Sequence, residues 1–177
     1  DFTVDGDVDN LVKEITEKWG KLDFVVHSIA FAPKDDLRGD YNKISGAGFA
    51  TSMNISVYSF INFSSQLAPL MTDGGSIIAM TYYGGEKVIK NYKLMGTCKA
   101  ALDSSVRELA NDFGSKNIRV NAIAPGIINT DMNNNLTQNE SFIALKNDLV
   151  KIGMMGKVFP LMFFIVAALV TITTVSR

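Results

Sequence analysis

The sequence predicts an α/β domain built on a doubly wound parallel sheet. Short apolar runs rich in β-branched residues alternate along the chain with stretches in which apolar residues recur at helical spacing. With 177 residues, of which 47% are apolar and 10% aromatic, the chain can bury a sizeable core. This composition excludes a mainly disordered protein.

The first part of the chain supplies two helices and one strand. Apolar residues at helical spacing predict a helix over 8–20, capped by Asp7 or Asp9. The run LDFVVH at 22–27 predicts a strand buried on both faces of the sheet. Residues 31–48, with a proline, two adjacent aspartates and three glycines, predict a polar loop, and a long helix follows over 49–71.

The second part repeats the alternation of strand and helix. A turn at 72–75 leads into the strand SIIAMT at 76–81, and a loop then extends to about residue 91. A helix is predicted over 92–113, ended by Gly114, and a third strand over 118–124. Because such sheets bind ligands at the carboxyl ends of their strands, a site is expected there.

Charge and rare residues exclude several kinds of function. Seventeen basic residues against eighteen acidic ones give a net charge of -1 and no basic stripe, which argues against nucleic-acid binding. One cysteine, Cys98, and one histidine, His27, cannot form a disulfide framework or a zinc site within one chain, so no metal is expected. The most economical interpretation gives both residues structural roles, and the cysteine usage fits a reducing compartment.

The end of the sequence departs from this pattern. Residues 158–176 contain no charge, and their length approaches the roughly 20 residues that span a bilayer as a helix. A buried helix followed by a buried strand is the favoured interpretation, and a membrane-associated tail is the alternative. We therefore divide the chain into a domain over 1–155 and an apolar tail over 156–177.

The most specific local feature is a tyrosine and a lysine seven residues apart, Tyr92 and Lys99, at the start of a predicted helix that follows a strand. Seven residues are close to two helical turns, so both side chains are expected on one face. A nearby ammonium favours the ionised form of a tyrosine, so the pair predicts a tuned proton donor. A packing aromatic beside a surface lysine is the alternative.

Four blocks of sequence support a closer interpretation. They are WGKLDFVVHSIAFAPKDDLRGDY at 19–41, ISVYSF at 55–60, GGSIIAMTYYGGEKVIKNYKLMGTCKAALDSSVRELA at 74–110, and NIRVNAIAPGIINT at 117–130. Together they resemble the short-chain dehydrogenase/reductase superfamily, and more closely its bacterial enoyl-[acyl-carrier-protein] reductases. The resemblance extends over about residues 1–155 and implies a Rossmann-like dinucleotide-binding fold.

The resemblance also implies a reaction. Enoyl reductases of type II fatty-acid synthesis transfer a hydride from a reduced nicotinamide to an enoyl thioester carried by acyl carrier protein, and for this protein NADH is expected ahead of NADPH. Relatives commonly form homotetramers in the bacterial cytoplasm. The same is expected of this protein, with membrane contact of the tail as the minority alternative.

Each matching position takes a role from the resemblance. Tyr92 would be the hydroxyl donor to the thioester oxygen, Lys99 would hold the nicotinamide ribose, and Tyr82 would line the acyl site, with Ala32 also on the substrate side. The cofactor-binding residues would be Asp1, Phe2, Ser28, Ile29, Ala30, Lys99, Ile128 and Thr130.

Some features depart from the family pattern. No glycine-rich phosphate turn is found, so about two βα units, roughly 60 residues, are expected to be missing before Asp1. The segment from Ala124 to Met132 is closer to ketoacyl reductases, but these use a serine where Ala79 stands. A ketoacyl reductase and a non-catalytic remnant, attached to a membrane by its tail, are the alternatives.

Overall fold

A three-stranded parallel sheet is the centre of the part of the chain that the structure describes. The computed structural model describes Val4 and residues 6–126. In chain order the elements are α1 Asp7–Trp19, β1 Phe24–His27, α2 Lys34–Arg38, α3 Gly46–Met53, α4 Ser59–Leu67, β2 Gly75–Met80, α5 Lys93–Gly114 and β3 Ile118–Ile123. Parallel strands joined by helical connections confirm the predicted α/β class.

The three strands lie in chain order, β1-β2-β3, with β2 in the middle. Val25 is paired with Ile77, and Ile77 with Val120. At the carboxyl edge, His27 is paired with Ala79, and Ala79 with Ala122. The strands therefore end close to one level, so the segments after them begin side by side.

The core lies on one face of this sheet. Neighbouring parallel strands joined by right-handed crossovers place the connecting helices on the same side. The buried cluster combines strand residues with residues of α4 and α5, namely Val25, Ile77, Ala79, Ile118 and Val120 with Phe60, Leu67, Leu102, Val106, Leu109 and Phe113.

The prediction that the first strand is buried on both faces is wrong for the described part. Phe24 is 66% exposed and Val26 51% exposed, whereas the alternate residues Val25 and His27 are buried. Successive residues of a strand point to opposite faces. Helices α1, α4 and α5 pack against the face of Val25, which leaves Phe24 and Val26 on the other.

The long helix predicted over 49–71 is interrupted. It begins earlier, at Gly46, because the Ser45 side chain caps it by accepting a hydrogen bond from the Gly48 N–H. A π-helical turn, Asn54–Tyr58, separates α3 from α4, and a 3-10 turn at Ala68–Leu70 ends the whole segment. In the π-turn the Ser59 N–H donates to the Asn54 carbonyl, five residues back.

Three smaller predictions also need correction. The loop predicted over 31–48 contains α2, whose aspartates lie in its first turn and Arg38 in its last, where they complement the helix dipole. Neither predicted aspartate caps α1; Gly6, with φ of 85°, stands at that position. Tyr92 precedes α5 instead of starting it.

Some predictions concern residues outside the described part of the chain. They are the domain boundary at 155/156, the uncharged stretch 158–176, and the cofactor contacts Asp1, Phe2, Ile128 and Thr130. Among the residues that are described, no helix has the length and apolarity needed to cross a membrane.

Candidate active site

The predicted site residues that the structure describes lie in segments that follow β1 and β2. The segment after β1 contains Ser28, Ile29, Ala30 and Ala32, of which Ser28 and Ala30 are exposed and the other two half-buried. Tyr82 comes two residues after the end of β2. Since the ends of these strands are adjacent, the structure brings the predicted cofactor segment and the predicted catalytic loop to one edge of the sheet.

Tyr82 and Tyr92 form an aromatic pair. Their ring centroids are 4.8 Å apart and the rings are inclined by 65°, an edge-to-face arrangement. Tyr92 is flanked by Asn91 and Lys93, both of which have positive φ values, 64° and 38°. Left-handed backbone is unfavourable for a lysine, and such strain is concentrated at functional sites. The turn before α5 thus fixes the tyrosine against its partner.

Glycines let the loop after β2 approach this pair. A Cβ on Gly84 would lie 2.4 Å from Cδ1 of Tyr92, and a Cβ on Gly96 would lie 2.7 Å from the Gly84 carbonyl oxygen. Real Cβ atoms do not come this close to other heavy atoms. The contact between the 3-10 turn Tyr83–Gly85 and the first turns of α5 therefore requires glycine on both sides.

Lys99 reaches the carboxyl end of β2. It is only 6% exposed, and its Nζ donates a hydrogen bond of 2.6 Å to the Met80 carbonyl. Burial lowers the pKa of Lys99 from its usual value, while Cys98 and Asp103 partly oppose that shift. Lys99 and Tyr92 thus each contact a residue of the short segment Met80 to Tyr82.

The expected influence of lysine on Tyr92 is wrong. The sequence predicts a tyrosine whose ionised form is favoured by a nearby ammonium. In the structure, burial raises the pKa of Tyr92 well above its usual value of 10.0, and Tyr82 and Cys98 raise it further. The hydroxyl of Tyr92 is therefore protonated at physiological pH.

His27 occupies a buried position at the end of β1. It is 2% exposed, its Nε2 lies 2.8 Å from Oγ of Ser59, and its ring meets that of Phe60 edge to face at 5.3 Å. Burial, and after it the charge of Lys99, lower the pKa of His27 to about 4. A neutral, hydrogen-bonded imidazole agrees with the structural role that the sequence indicates.

Cys98 also agrees with its predicted role. Its side chain is fully buried and packs with Val57, Leu94 and Met95. Burial raises the pKa of its thiol, which disfavours the reactive thiolate.

Sequence reasoning missed Ser56 and Ser59, two buried hydroxyls on the π-turn and directly after it. Ser56 bonds to the backbone of Phe31, in the segment after β1. The ISVYSF block contains both serines, but a helix predicted as continuous gave no reason to place them beside that segment.

A cleft of about 750 Å³ lies beside Tyr92. Its lining consists of Tyr41, residues 84–93, and Gly96, Thr97 and Ala100 of α5. Tyr41 is tied to this wall by a 2.6 Å hydrogen bond between its hydroxyl and Oγ1 of Thr97. Tyr92 lines the cleft, whereas Lys99 and Tyr82 do not.

Comparison with known proteins decides the family. The family model described as enoyl-(acyl carrier protein) reductase matches residues 1–162. The chain belongs to this family.

Individual members agree with the assignment. The enoyl-[acyl-carrier-protein] reductase [NADH] FabI of Nostoc sp. is 49% identical over 126 residues, which are 71% of this chain and 49% of the relative. The reductase of Anaplasma phagocytophilum, solved with NAD, is 52% identical with a TM-score of 0.72, covering 73% of this chain and 50% of that one. The NADH reductase of Aquifex aeolicus is 46% identical with a TM-score of 0.71, covering 74% and 52%. The chain spans about half the length of these enoyl reductases.

Proposed function

We propose that this protein reduces the carbon–carbon double bond of an enoyl thioester on acyl carrier protein, with NADH as the reductant. One observation carries the proposal: the Tyr82–Tyr92 pair follows β2, and the Lys99 ammonium binds the last carbonyl of that strand, at the carboxyl edge of a parallel sheet in a chain of the enoyl reductase family. The relatives named above carry NADH or bound NAD in their own descriptions.

Tyr92 would stabilise the charge that develops on the substrate. When hydride reaches the β-carbon of the enoyl group, the electron pair of the double bond moves toward the thioester carbonyl, whose oxygen becomes negative. A protonated hydroxyl directed at that oxygen stabilises this enolate. Because burial keeps Tyr92 protonated, its hydroxyl suits the role of donor. A proton then adds to the α-carbon and completes the saturated product.

Tyr82 and Ala32 would shape the acyl site. Tyr82 packs edge to face on Tyr92 and thereby holds its ring in one orientation. Ala32 is half-buried in the cluster that contains Leu94 and Met95, at the start of α5. An apolar wall beside the donor hydroxyl suits an acyl chain.

Lys99 and the segment after β1 would hold the cofactor. The ammonium of Lys99 has three donors, of which one is directed at the Met80 carbonyl, so donors remain for ribose hydroxyls. Oγ1 of Thr81, next in the chain, is buried and has no hydrogen-bond partner among the described residues, which also fits a polar ligand there. The segment after β1 would contribute cofactor contacts through Ser28, Ile29 and Ala30. Further proposed contacts are Asp1, Phe2, Ile128 and Thr130. When bound, NADH supplies the hydride.

The alternative within oxidoreductases is a ketoacyl reductase. Its catalytic serine would stand at position 79, where Ala79 is fully buried inside β2 and offers no hydroxyl. The enoyl reductase is therefore the better supported proposal. Homotetramer formation and a cytoplasmic location are further parts of the proposal that rest on family membership.

Enzyme assays test the function directly. The protein should oxidise NADH in the presence of crotonyl thioester, and Tyr92→Phe or Lys99→Ala should remove most of that turnover. Tyr83→Phe is the matched control, because Tyr83 is 51% exposed and outside the proposed site. Turnover of acetoacetyl thioester with NADPH and none of crotonyl thioester would favour the ketoacyl reductase. Absence of NADH binding would favour the non-catalytic alternative.

A further inference from the structure

One buried hydroxyl holds the backbone of the segment that follows β1. Oγ of Ser56 accepts a hydrogen bond of 3.0 Å from the Phe31 N–H and donates one of 3.0 Å to the Phe31 carbonyl. The two residues are 25 positions apart, and Ser56 is 0% exposed. A single side chain therefore satisfies both polar backbone groups of one loop residue.

A second hydroxyl holds the other end of the same segment. Oγ of Ser59 lies 2.8 Å from Nε2 of His27, the last residue of β1, and donates to the Ile55 carbonyl at 2.6 Å. Because the one hydroxyl hydrogen is directed at Ile55, the His27 Nε2–H must be the donor in the other bond. Segment 27–31 is thus tied to the interrupted helix at both its first and its last residue.

Both serines belong to the irregular part of the helix. Ser56 lies within the π-turn, and Ser59 closes it by donating its backbone N–H to Asn54. Single π-turns inside helices are frequent at functional sites. A buried hydroxyl is unfavourable unless it is hydrogen-bonded, so these contacts are specific features of the fold.

We propose that Ser56 and Ser59 are positioning residues that hold segment 28–31 in the conformation that receives the dinucleotide cofactor. This inference rests on the proposed function, which assigns Ser28, Ile29 and Ala30 to the cofactor. Ser28 and Ala30 are exposed, whereas the anchoring hydroxyls are buried beneath them. A loop held before the ligand arrives loses less conformational entropy on binding.

The same helix offers a matched control. Ser52 is also 0% exposed, but its Oγ donates only to the Gly48 carbonyl within its own helix, at 2.7 Å. Ser52→Ala removes one buried hydroxyl from α3 without touching the segment after β1. Ser56→Ala removes one of the same size and takes the Ser56 hydroxyl away from both backbone groups of Phe31.

Three measurements test the proposal on these variants. Fluorescence titration with NADH should show affinity weaker by about tenfold in Ser56→Ala and unchanged in Ser52→Ala, as expected for losing buried hydrogen bonds that order a ligand loop. In steady state, the KM for NADH should rise more than kcat falls. Hydrogen exchange without ligand should show a faster Phe31 amide in Ser56→Ala only. Ser59→Ala, which removes the hydroxyl bonded to His27, should also weaken NADH binding.

The outcomes distinguish a failure of the positioning role from a failure of the proposed function. If the unmodified protein binds NADH and both Ser56→Ala and Ser59→Ala bind it as Ser52→Ala does, the positioning role is wrong and the proposed function stands. If the unmodified protein binds no NADH, the proposed function is wrong, and so is the positioning role that rests on it. Should Ser56→Ala not fold, the comparison of Ser59→Ala with Ser52→Ala decides.

Discussion

The edge of one tyrosine ring meets the face of another where β2 and α5 come together: Tyr82 and Tyr92 are 4.8 Å apart between centroids. Tyr82 follows the strand and Tyr92 precedes the helix. The proposed donor hydroxyl is therefore placed by the packing of a strand against the helix that follows it in the chain.

Gly84→Ala is expected to disrupt this pair. A Cβ there would lie 2.4 Å from the Tyr92 ring, so the ring must move, at a stability cost of about 1–3 kcal/mol, typical of overpacking. Near-UV circular dichroism should lose the signal of the paired tyrosines, and turnover should fall by at least tenfold. Gly46→Ala is the control, because its Cβ meets nothing within 4 Å. Equal behaviour of the two variants would contradict the proposed packing.

The raised pKa of the half-buried Tyr92 predicts a loss of stability in alkali. The folded chain holds this proton above its usual pKa of 10.0, while the unfolded chain releases it there. Above that pH the folded state binds more protons, so the free energy of unfolding should decrease as pH rises. Denaturant titrations of the unmodified protein and Tyr92→Phe at several alkaline pH values measure this. As pH rises, the unmodified protein should lose stability relative to Tyr92→Phe; parallel curves would show that Tyr92 ionises normally.

The lowered pKa of His27 predicts that, in acid, the free energy of unfolding changes with pH in the opposite direction. Its pKa is about 4 in the folded chain and 6.5 unfolded, so between these values the unfolded chain binds more protons. The free energy of unfolding should therefore fall as pH decreases from 6.5 toward 4, by roughly 1–3 kcal/mol for this group. His27→Gln should flatten that slope. Nitrogen NMR of the imidazole should show the neutral form protonated at Nε2 at pH 6, and a charged ring there would refute the assignment.

The burial of Leu102 predicts that a cavity at this position lowers the free energy of unfolding. It is 0% exposed and packs between α5 and the sheet in the main buried cluster. Leu102→Ala should lower the free energy of unfolding by about 2–5 kcal/mol. Val88→Ala, at a fully exposed position, should change it by less than about 0.5 kcal/mol. Similar thermal denaturation midpoints for the two variants would contradict the described core.

The alternating strands and helices could be predicted because their patterns depend on local periodicity. The spacing of Tyr92 and Lys99 predicts that both side chains share one helix face, which stays a prediction because Tyr92 precedes α5. The exposure of Phe24 could not be predicted, because an apolar run does not tell which face other elements cover. The pKa direction of Tyr92 was wrong because burial, which is a property of the whole fold, raises that pKa, and Tyr82 and Cys98 raise it further.

The serine contacts show another limit of sequence reasoning. Apolar periodicity predicted one continuous helix over 49–71, and nothing in its composition marks the π-turn at Asn54–Tyr58. The hydrogen bonds of Ser56 and Ser59 depend on that turn and on residues more than twenty positions away. Only the assembled structure brings these groups together.

Because Gly84 and Gly96 are in close contact, the position of the proposed donor, Tyr92, depends on how tightly the loop after β2 packs against α5. The loop after β2 contacts α5 only while β2 and α5 stay packed together. No side chain lies between Gly84 and Gly96 that could keep the contact if the two elements moved apart. A small separation would part Tyr82 from Tyr92 while the hydrogen bonds inside each element stayed intact. On mild heating, catalytic competence should therefore disappear before helical content does.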